Sequence, residues 1–150
     1  MGKSQNLFAV TICAKRKPGM DEEAYHKYIS ETHAGHLKEL LVQKKIVDYT
    51  MVFPHSQEAE QRKQKQHNTP DLMKDIDQLF PNLPTVNHSP FDAFVTIVFR
   101  DIKDYISVKD EPHYLNVVNP DHVNFADGPS TRMSFGWFEK HVADGKLVEG

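Results

Sequence analysis

Histidine is the residue type that stands out in this chain: nine in 150 residues, beside a single cysteine. An imidazole takes and gives protons near neutral pH, so the positions of these rings decide what chemistry is open. His33 and His36 interrupt an apolar stripe at helical spacing, Tyr25, Ile29, Thr32-His33, His36-Leu37, Leu40. Burying an imidazole without a partner is costly. Either each ring has a hydrogen-bond partner or the stripe borders a polar cavity. His33 and His36 are close enough on a helix to share an ion, but no third ligand and no HExxH spacing accompany them, so no metal is expected. Asp92 is the second anomaly, a carboxylate within a strand on the same side as Phe94, Thr96 and Val98. It sits at the strand's mouth or pairs with an imidazole, which would fix the ring tautomer. A third cluster runs from Asn119 to Asp127 and contains His122. There Asp121 reads as a turn cap, and Asp127 before Gly128-Pro129 reads as turn chemistry.

These residues assemble into an acid–base site. His33 is the general acid/base, oriented by Asp92 or another carboxylate, with His122 beside it in the catalytic set. Tyr28 and Tyr49 are candidate donors to a developing enolate oxygen. Leu37, Met51 and Phe94 would form apolar walls, and His36 and Asp127 are further candidate substrate contacts. Such a site could decarboxylate a β-keto or ortho-hydroxy acid. It could also dehydrate a β-hydroxy ketone or close a ring.

The elements that must hold these groups follow a regular order. Leu7–Ala14 is a short β-branched run that reads as a buried strand, closed by Pro18-Gly19. Asp21 is the expected N-cap of a helix from Glu22 to about Lys45. A second strand runs from Ile46 to Phe53 and stops at Pro54. His55 to His67 reads as a solvated helix or excursion, and 71–80 as a short amphipathic helix. Phe91–Phe99 is the strongest strand, followed by a helix from Asp101 that breaks at Asp110-Glu111-Pro112 and resumes at His113. The last strand spans Thr131 to His141. The order β-α-β, insertion (about 54–90), β-α-β predicts an α+β domain over 1–150 with a ferredoxin-like split sheet of four antiparallel strands, helices on one face. Both faces of the third strand read as largely apolar, so the free face predicts a homodimer packed sheet to sheet. Trp137, with Phe135 or Phe138, is expected in the core or the dimer contact, and Cys13 as an inert packed thiol.

Composition narrows the field. The formal charge of −3 argues against a nucleic-acid surface. No apolar run is long enough for a membrane span, and MGKSQNLFAV reads as neither a secretory signal nor a lipid-anchor motif. One cysteine forbids an internal disulfide and fits a reducing compartment, so a cytoplasmic location is expected. No glycine-rich phosphate loop or serine nucleophile elbow appears.

Several blocks together resemble the EthD-domain family. They are Ile12–Met20, Tyr25–Ala34, Ile46–Met51, Val98–Asp101, Pro120-Asp121-His122 with Phe125-Ala126-Asp127, and Gly136–Glu139. The resemblance spans about residues 8–145 and is nearest to the fungal EthD-type decarboxylases and dehydratases that tailor aromatic polyketides. It implies a dimeric α+β barrel, cofactor-free chemistry and a small aromatic polyketide-like substrate. His33, Asp92, Asp121, His122 and Asp127 match polar positions of that pattern. The stretch 54–90 is longer and more divergent than in the relatives. Decarboxylation is the expected reaction. Dehydration, cyclisation or pericyclic chemistry, cofactor-free oxygenation, and non-catalytic binding of a hydrophobic metabolite are the alternatives.

Overall fold

Strand β1 (Leu7–Ala14) is central to the sheet, and its register fixes which side chains meet the helices. It pairs antiparallel with β3 (Ala93–Phe99) on one side and β4 (Arg132–Phe138) on the other. Strand β2 (Asp48–Val52) lies beyond β3. The order β2-β3-β1-β4, antiparallel throughout, is the split β-α-β sheet expected from the sequence. The computed structural model describes residues 6–54, 72–81 and 89–149. The polar stretch 55–67, read as a solvated helix, lies outside the described residues. The amphipathic piece expected at 71–80 is helical over Leu72–Leu79.

Directly paired residues of an antiparallel ladder share a face. Val10↔Ile97 and Ile12↔Val95 therefore point toward the helices, and so do Tyr49 and Met51 through Tyr49↔Ile97 and Met51↔Val95. The other face carries Thr11↔Thr96 and Cys13↔Phe94. That face is less apolar than β3 alone suggested. Thr50, Thr96, Thr11 and Ser134 are successive cross-strand partners, so a row of hydroxyls crosses all four strands. At one end of the same face Leu7, Ala9 and Val98 are buried against Val47 and Phe138. Edge strand β4 departs from the expected core. Met133, Phe135 and Trp137 pair with Ile12, Val10 and Phe8 on the helix side. Yet they remain 50%, 62% and 73% exposed, because the helices do not reach this edge. Trp137 rests on Phe8, ring centroids 4.4 Å apart.

The first helical run begins where Asp21 accepts a hydrogen bond from Ala24 N, 3.0 Å, as a capping carboxylate should. It continues as α1 (Glu22–Lys27), a π-helical turn (Tyr28–His33) and α2 (Ala34–Gln43). The π turn answers a spacing problem. Tyr25, Ile29, His33 and Leu37 follow one another every four residues and are all buried. On an ideal α-helix each such step would drift by about 40°, swinging the stripe off the sheet. One wider i→i+5 turn takes up the drift, as the bond from Ala34 N to Ile29 O records.

The second helical run starts at α3's successor in the chain, α4 (Ile102–Asp110), where α3 is the Leu72–Leu79 helix; its cap is Asp101, whose carboxylate accepts from Lys103 N at 2.9 Å. After the break at Glu111-Pro112 the chain makes a second π turn (Tyr114–Val118), then α5 (Asn119–Asp121) and a 3₁₀ turn (His122–Asn124). Pro120 offers no N–H and its ring crowds the preceding turn, and the chain widens just ahead of it. The last strand ends at Phe138, short of His141. A two-stranded hairpin follows, β5 (Val142–Ala143) and β6 (Lys146–Leu147). Its turn is Asp144-Gly145, both at positive φ (53° and 75°), as a primed two-residue turn needs.

Candidate active site

Between the helices and the sheet lies a partly open cavity of about 100 Å³. Val95 and Ile97 of β3 face Ile29 and Leu37 across it, and the rings of His33 and His122 enter its wall. His33 reaches this place because the π turn keeps it in line with Ile29 and Leu37. It is buried, 5% exposed, and packs against Phe125 and His122 with ring centroids 4.6 and 4.7 Å away.

Its partner is Asp121, the other buried polar side chain of the described residues, 7% exposed. His33 Nδ1 lies 2.9 Å from Asp121 Oδ2. An ionised carboxylate only accepts, so Nδ1 carries the proton and Nε2 is the nitrogen left to exchange protons. The other oxygen, Oδ1, accepts from Tyr28 OH at 2.5 Å and from Asn124 Nδ2 at 2.9 Å. Tyr28 comes from the first π turn, and Asp121 and Asn124 from the segment after the second. The hub thus ties the two helical runs together behind the His33 ring that lines the hollow. His122 is anchored in the same sense, with Nδ1 donating to Asn119 O at 2.9 Å.

The charge states follow from these surroundings. Burial lowers the His33 pKa, the Asp121 bond pushes it back up, and the nearby His122 and His36 lower it further. The net result is a value below the ordinary 6.5. His33 is therefore a neutral base at pH 7. Burial alone would raise the Asp121 carboxyl, but the bonds from Tyr28, Asn124 and His33 outweigh it and hold the group below 3.8. Burial pushes the Tyr49 hydroxyl up, so it lines the cavity as a neutral donor.

The other residues expected at the site divide sharply. Asp92 does not orient His33. Its Oδ2 accepts from Arg16 N at 2.8 Å, and its carboxylate sits 3.8 Å from Arg16 Nε and 3.9 Å from Lys15 Nζ. It closes the end of the β1–β3 ladder, because the strand's first residues meet the basic turn after β1. Tyr28 is not positioned as a substrate donor, since its hydroxyl proton goes to Asp121. Phe94 points to the sheet's far side with Cys13 and Thr96, and Val95 and Ile97 take the wall position instead. Met51 packs with Tyr25 and Ile29 in a neighbouring cluster rather than lining the hollow. His36 offers its carbonyl to His113 Nε2 at 2.6 Å and is not among the lining residues. Asp127 ties the loop to β1 through its backbone, N to Lys15 O at 2.9 Å and O from the Thr131 hydroxyl at 2.8 Å. Reasoning from sequence missed Asn124, Phe125, Tyr114 and Lys109. The first two lie within the polar cluster already singled out, and Lys109 had only its i+4 relation to Tyr105 as a signal. No group of three or more His, Cys, Asp or Glu suited to a metal occurs among the described residues.

Comparison with known proteins bears on this geometry. Residues 17–129 match the model of the EthD domain. The chain is 35% identical over 148 residues to dehydratase aurZ of Gibberella zeae, covering 98% of this chain and 87% of that protein. It is 36% identical over 144 residues to the conidial pigment biosynthesis dehydratase EthD of Metarhizium robertsii, 96% and 91% covered. A decarboxylase of Emericella nidulans is 35% identical over 147 residues, 96% and 84% covered. Among solved structures, an EthD family protein from Bacillus halodurans superposes with a TM-score of 0.53 at 11% identity, 87% of this chain and 96% of that one. A dimeric protein of unknown function with a ferredoxin-like fold from Bacteroides fragilis gives 0.53 at 8% identity, 91% and 100% covered.

Proposed function

The chain belongs to the EthD domain family, and from that premise we propose that it is a cofactor-free lyase acting on an aromatic, polyketide-type small molecule by proton transfer through His33 and His122. The observation that carries this reading is the buried Asp121–His33 pair, with its imidazole in the wall of an apolar cavity. The relatives named as dehydratases and decarboxylases support the lyase class.

For decarboxylation the C–C bond to the carboxylate breaks, and its electron pair flows onto the neighbouring carbonyl. Carbon dioxide leaves, and the enol carbon then takes a proton from an imidazolium. An apolar cavity speeds the first event by favouring the spreading of charge. Tyr49 is a donor for the oxygen on which charge accumulates. The reaction consumes one proton, so one ring must be charged. Dehydration is the second reading, and the neutral state of His33 favours it. His33 Nε2 takes the proton α to a carbonyl, and the β-hydroxyl leaves as water with a proton from His122. Here one ring must be neutral and the other charged. Two rings 4.7 Å apart disfavour double protonation, which suits either division of labour. The cavity is smaller than the ~150 Å³ hollow known to admit benzene, so a polycyclic substrate would extend through its open side.

We propose further that the chain works as a homodimer packed through the sheet face bearing Thr11, Phe94 and Thr96, and that the protein is cytoplasmic. No helix among the described residues is long and apolar enough to cross a membrane. The experiment that tests the catalytic reading incubates purified protein with aromatic polyketide acids and with their β-hydroxy ketone counterparts, following loss of carbon dioxide or water by mass spectrometry. His33→Ala should lose about 10²–10⁴-fold in turnover while still binding substrate. A protein that binds these compounds but turns over none of them would be a carrier, and the catalytic reading would fall.

A further inference from the structure

The cavity contains one group that the acid–base chemistry does not use. Lys109, from the last turn of α4, lines the same hollow as His33. Its surroundings differ from those of the imidazoles. Nζ donates to Tyr114 OH at 2.5 Å and lies 4.5 Å from the centroid of the Tyr114 ring and 5.3 Å from that of Tyr105. Tyr114 belongs with Leu37, Leu40 and Leu41, whereas His33 packs on Phe125 and His122. The ammonium and the imidazoles therefore enter from different parts of the wall.

A half-buried ammonium beside an apolar hollow is costly unless something offsets its charge. Among the described residues no carboxylate lies within salt-bridge distance of Lys109 Nζ. The two tyrosines supply only hydroxyl oxygens and ring faces. Burial works against the charge, but the Tyr114 bond and the neighbouring tyrosine oxygens outweigh it, and the group stays protonated. A fixed positive charge thus borders a cavity whose other walls are mostly apolar.

We propose that Lys109 is the anchor for an oxyanion carried on a planar aromatic ligand, so that the substrate is held by its anionic oxygen at Lys109 with the reacting carbon toward His33 and His122. This rests on the cavity being the reaction site, and it adds the substrate class: an aromatic compound bearing a carboxylate or an ionisable hydroxyl. Tyr105 and Tyr114 align the ammonium, which retains a third N–H for the ligand. In a decarboxylation the anchored group is not the departing carboxylate, which a cation would hold back. It is another anionic oxygen of the substrate, such as an ionised ring hydroxyl, and the oxygen on which charge accumulates is left to Tyr49.

The test is binding, so it stands apart from turnover. Titration of the intact protein with 2-naphthoate, its methyl ester and 2-naphthol at pH 7 should show the acid bound ~10-fold or more tighter than the ester, the scale of one charge-assisted hydrogen bond. Lys109→Met should erase that preference while leaving the ester's affinity near its original value, and Lys109→Arg should keep part of it. If the acid shows no preference but 2-naphthol binds as its naphtholate, seen by absorbance, and Lys109→Met abolishes that spectrum, the anchored group is an ionised hydroxyl. His33→Ala should leave either preference intact. A dead His33→Ala with intact anion preference supports both readings. An active enzyme in which neither probe distinguishes wild type from Lys109→Met overturns the anchor and spares the acid–base site. Should Lys109→Met fail to fold, equal affinity of the wild type for acid and ester, with no bound naphtholate, overturns it equally.

Discussion

Asp121→Asn tests the site with the smallest change of shape. The carboxylate accepts three hydrogen bonds, from His33 Nδ1 at 2.9 Å, Tyr28 OH at 2.5 Å and Asn124 Nδ2 at 2.9 Å. An amide offers one oxygen and one NH₂ in place of two acceptors. If the NH₂ faces His33, Nδ1 must become an acceptor, the ring flips to the Nε2–H tautomer, and the base facing the cavity disappears. If the NH₂ faces the other way, it opposes the donor of Asn124. The first arrangement replaces three bonds to a charged group by weaker neutral ones, and the second also sets two donors against each other. Bonds to charged groups are worth about 1.5–3 kcal/mol each and neutral ones about 0.5–1.5. Relief from burying a charge offsets part of the loss, leaving about 1–3 kcal/mol of destabilisation. Turnover should fall by about 10²–10⁴-fold, the usual worth of a positioned acid or base. KM should change little, because Asp121 is not among the residues lining the cavity. Nitrogen-15 NMR of the histidine rings reads the tautomer directly. Nδ1 of His33 should be protonated in the parent protein and bare in a substantial fraction of the variant. Full kcat in Asp121→Asn, or an unchanged His33 tautomer with lost activity, would show that Asp121 does not act by holding the ring.

Two further outcomes follow from the same geometry. The folded-state pKa of His33 lies below 6.5, so the unfolded chain binds its proton first on acidification. Stability is therefore present above about pH 6.5 and falls as pH drops through the lower folded value, with Asp121 adding a second loss below 3.8. Urea midpoints between pH 7 and 5 should show this slope, and His33→Phe should flatten it; an unchanged slope would mean that His33 titrates as an exposed ring. For the assembly, Phe94→Asp with Thr96→Arg places charge on the half-buried middle of the outward sheet face. Sedimentation should shift from dimer to monomer with the circular dichroism retained, and an undisturbed dimer would place the contact elsewhere.

The fold was readable where one physical pattern dominated. The strands announced themselves by short β-branched runs, and Asp21 by its place before two acids and a helical stripe. The order of elements then left the split sheet as the natural topology. The faces of β1 and β3 followed from alternation alone. What alternation on single strands could not tell was the character of a face across strands. The hydroxyl row through Thr50, Thr96, Thr11 and Ser134 depends on register, which is a tertiary property. The Asp144-Gly145 turn is the reverse case, a strong local signal for a hairpin beyond the last expected strand.

The site was legible on one of its two walls. His33 betrayed itself because an imidazole in an apolar stripe needs a partner, and that argument uses only its own helix. The identity of the partner does not. Asp92 and Asp121 are both acids next to turns, and each could be read as a mere cap or strand start. They were separated by how 114–124 runs past Tyr28 and His33, which depends on two departures from the α-helix. Without the first π turn a four-residue repeat would carry His33 around toward the edge of the stripe. The second turn, set against Pro120, precedes the residues that deliver Asp121 and then Asn124 to the same hub. Such turns hold one residue more than an α-helical turn and so sacrifice some regularity of the ladder, a cost that persists where position matters more than local stability. The two walls of the cavity share this feature, and the bonds from Tyr28 and His33 to Asp121 join them at the points where it occurs. The irregularity in the helices and the alignment of the imidazole are therefore parts of one arrangement.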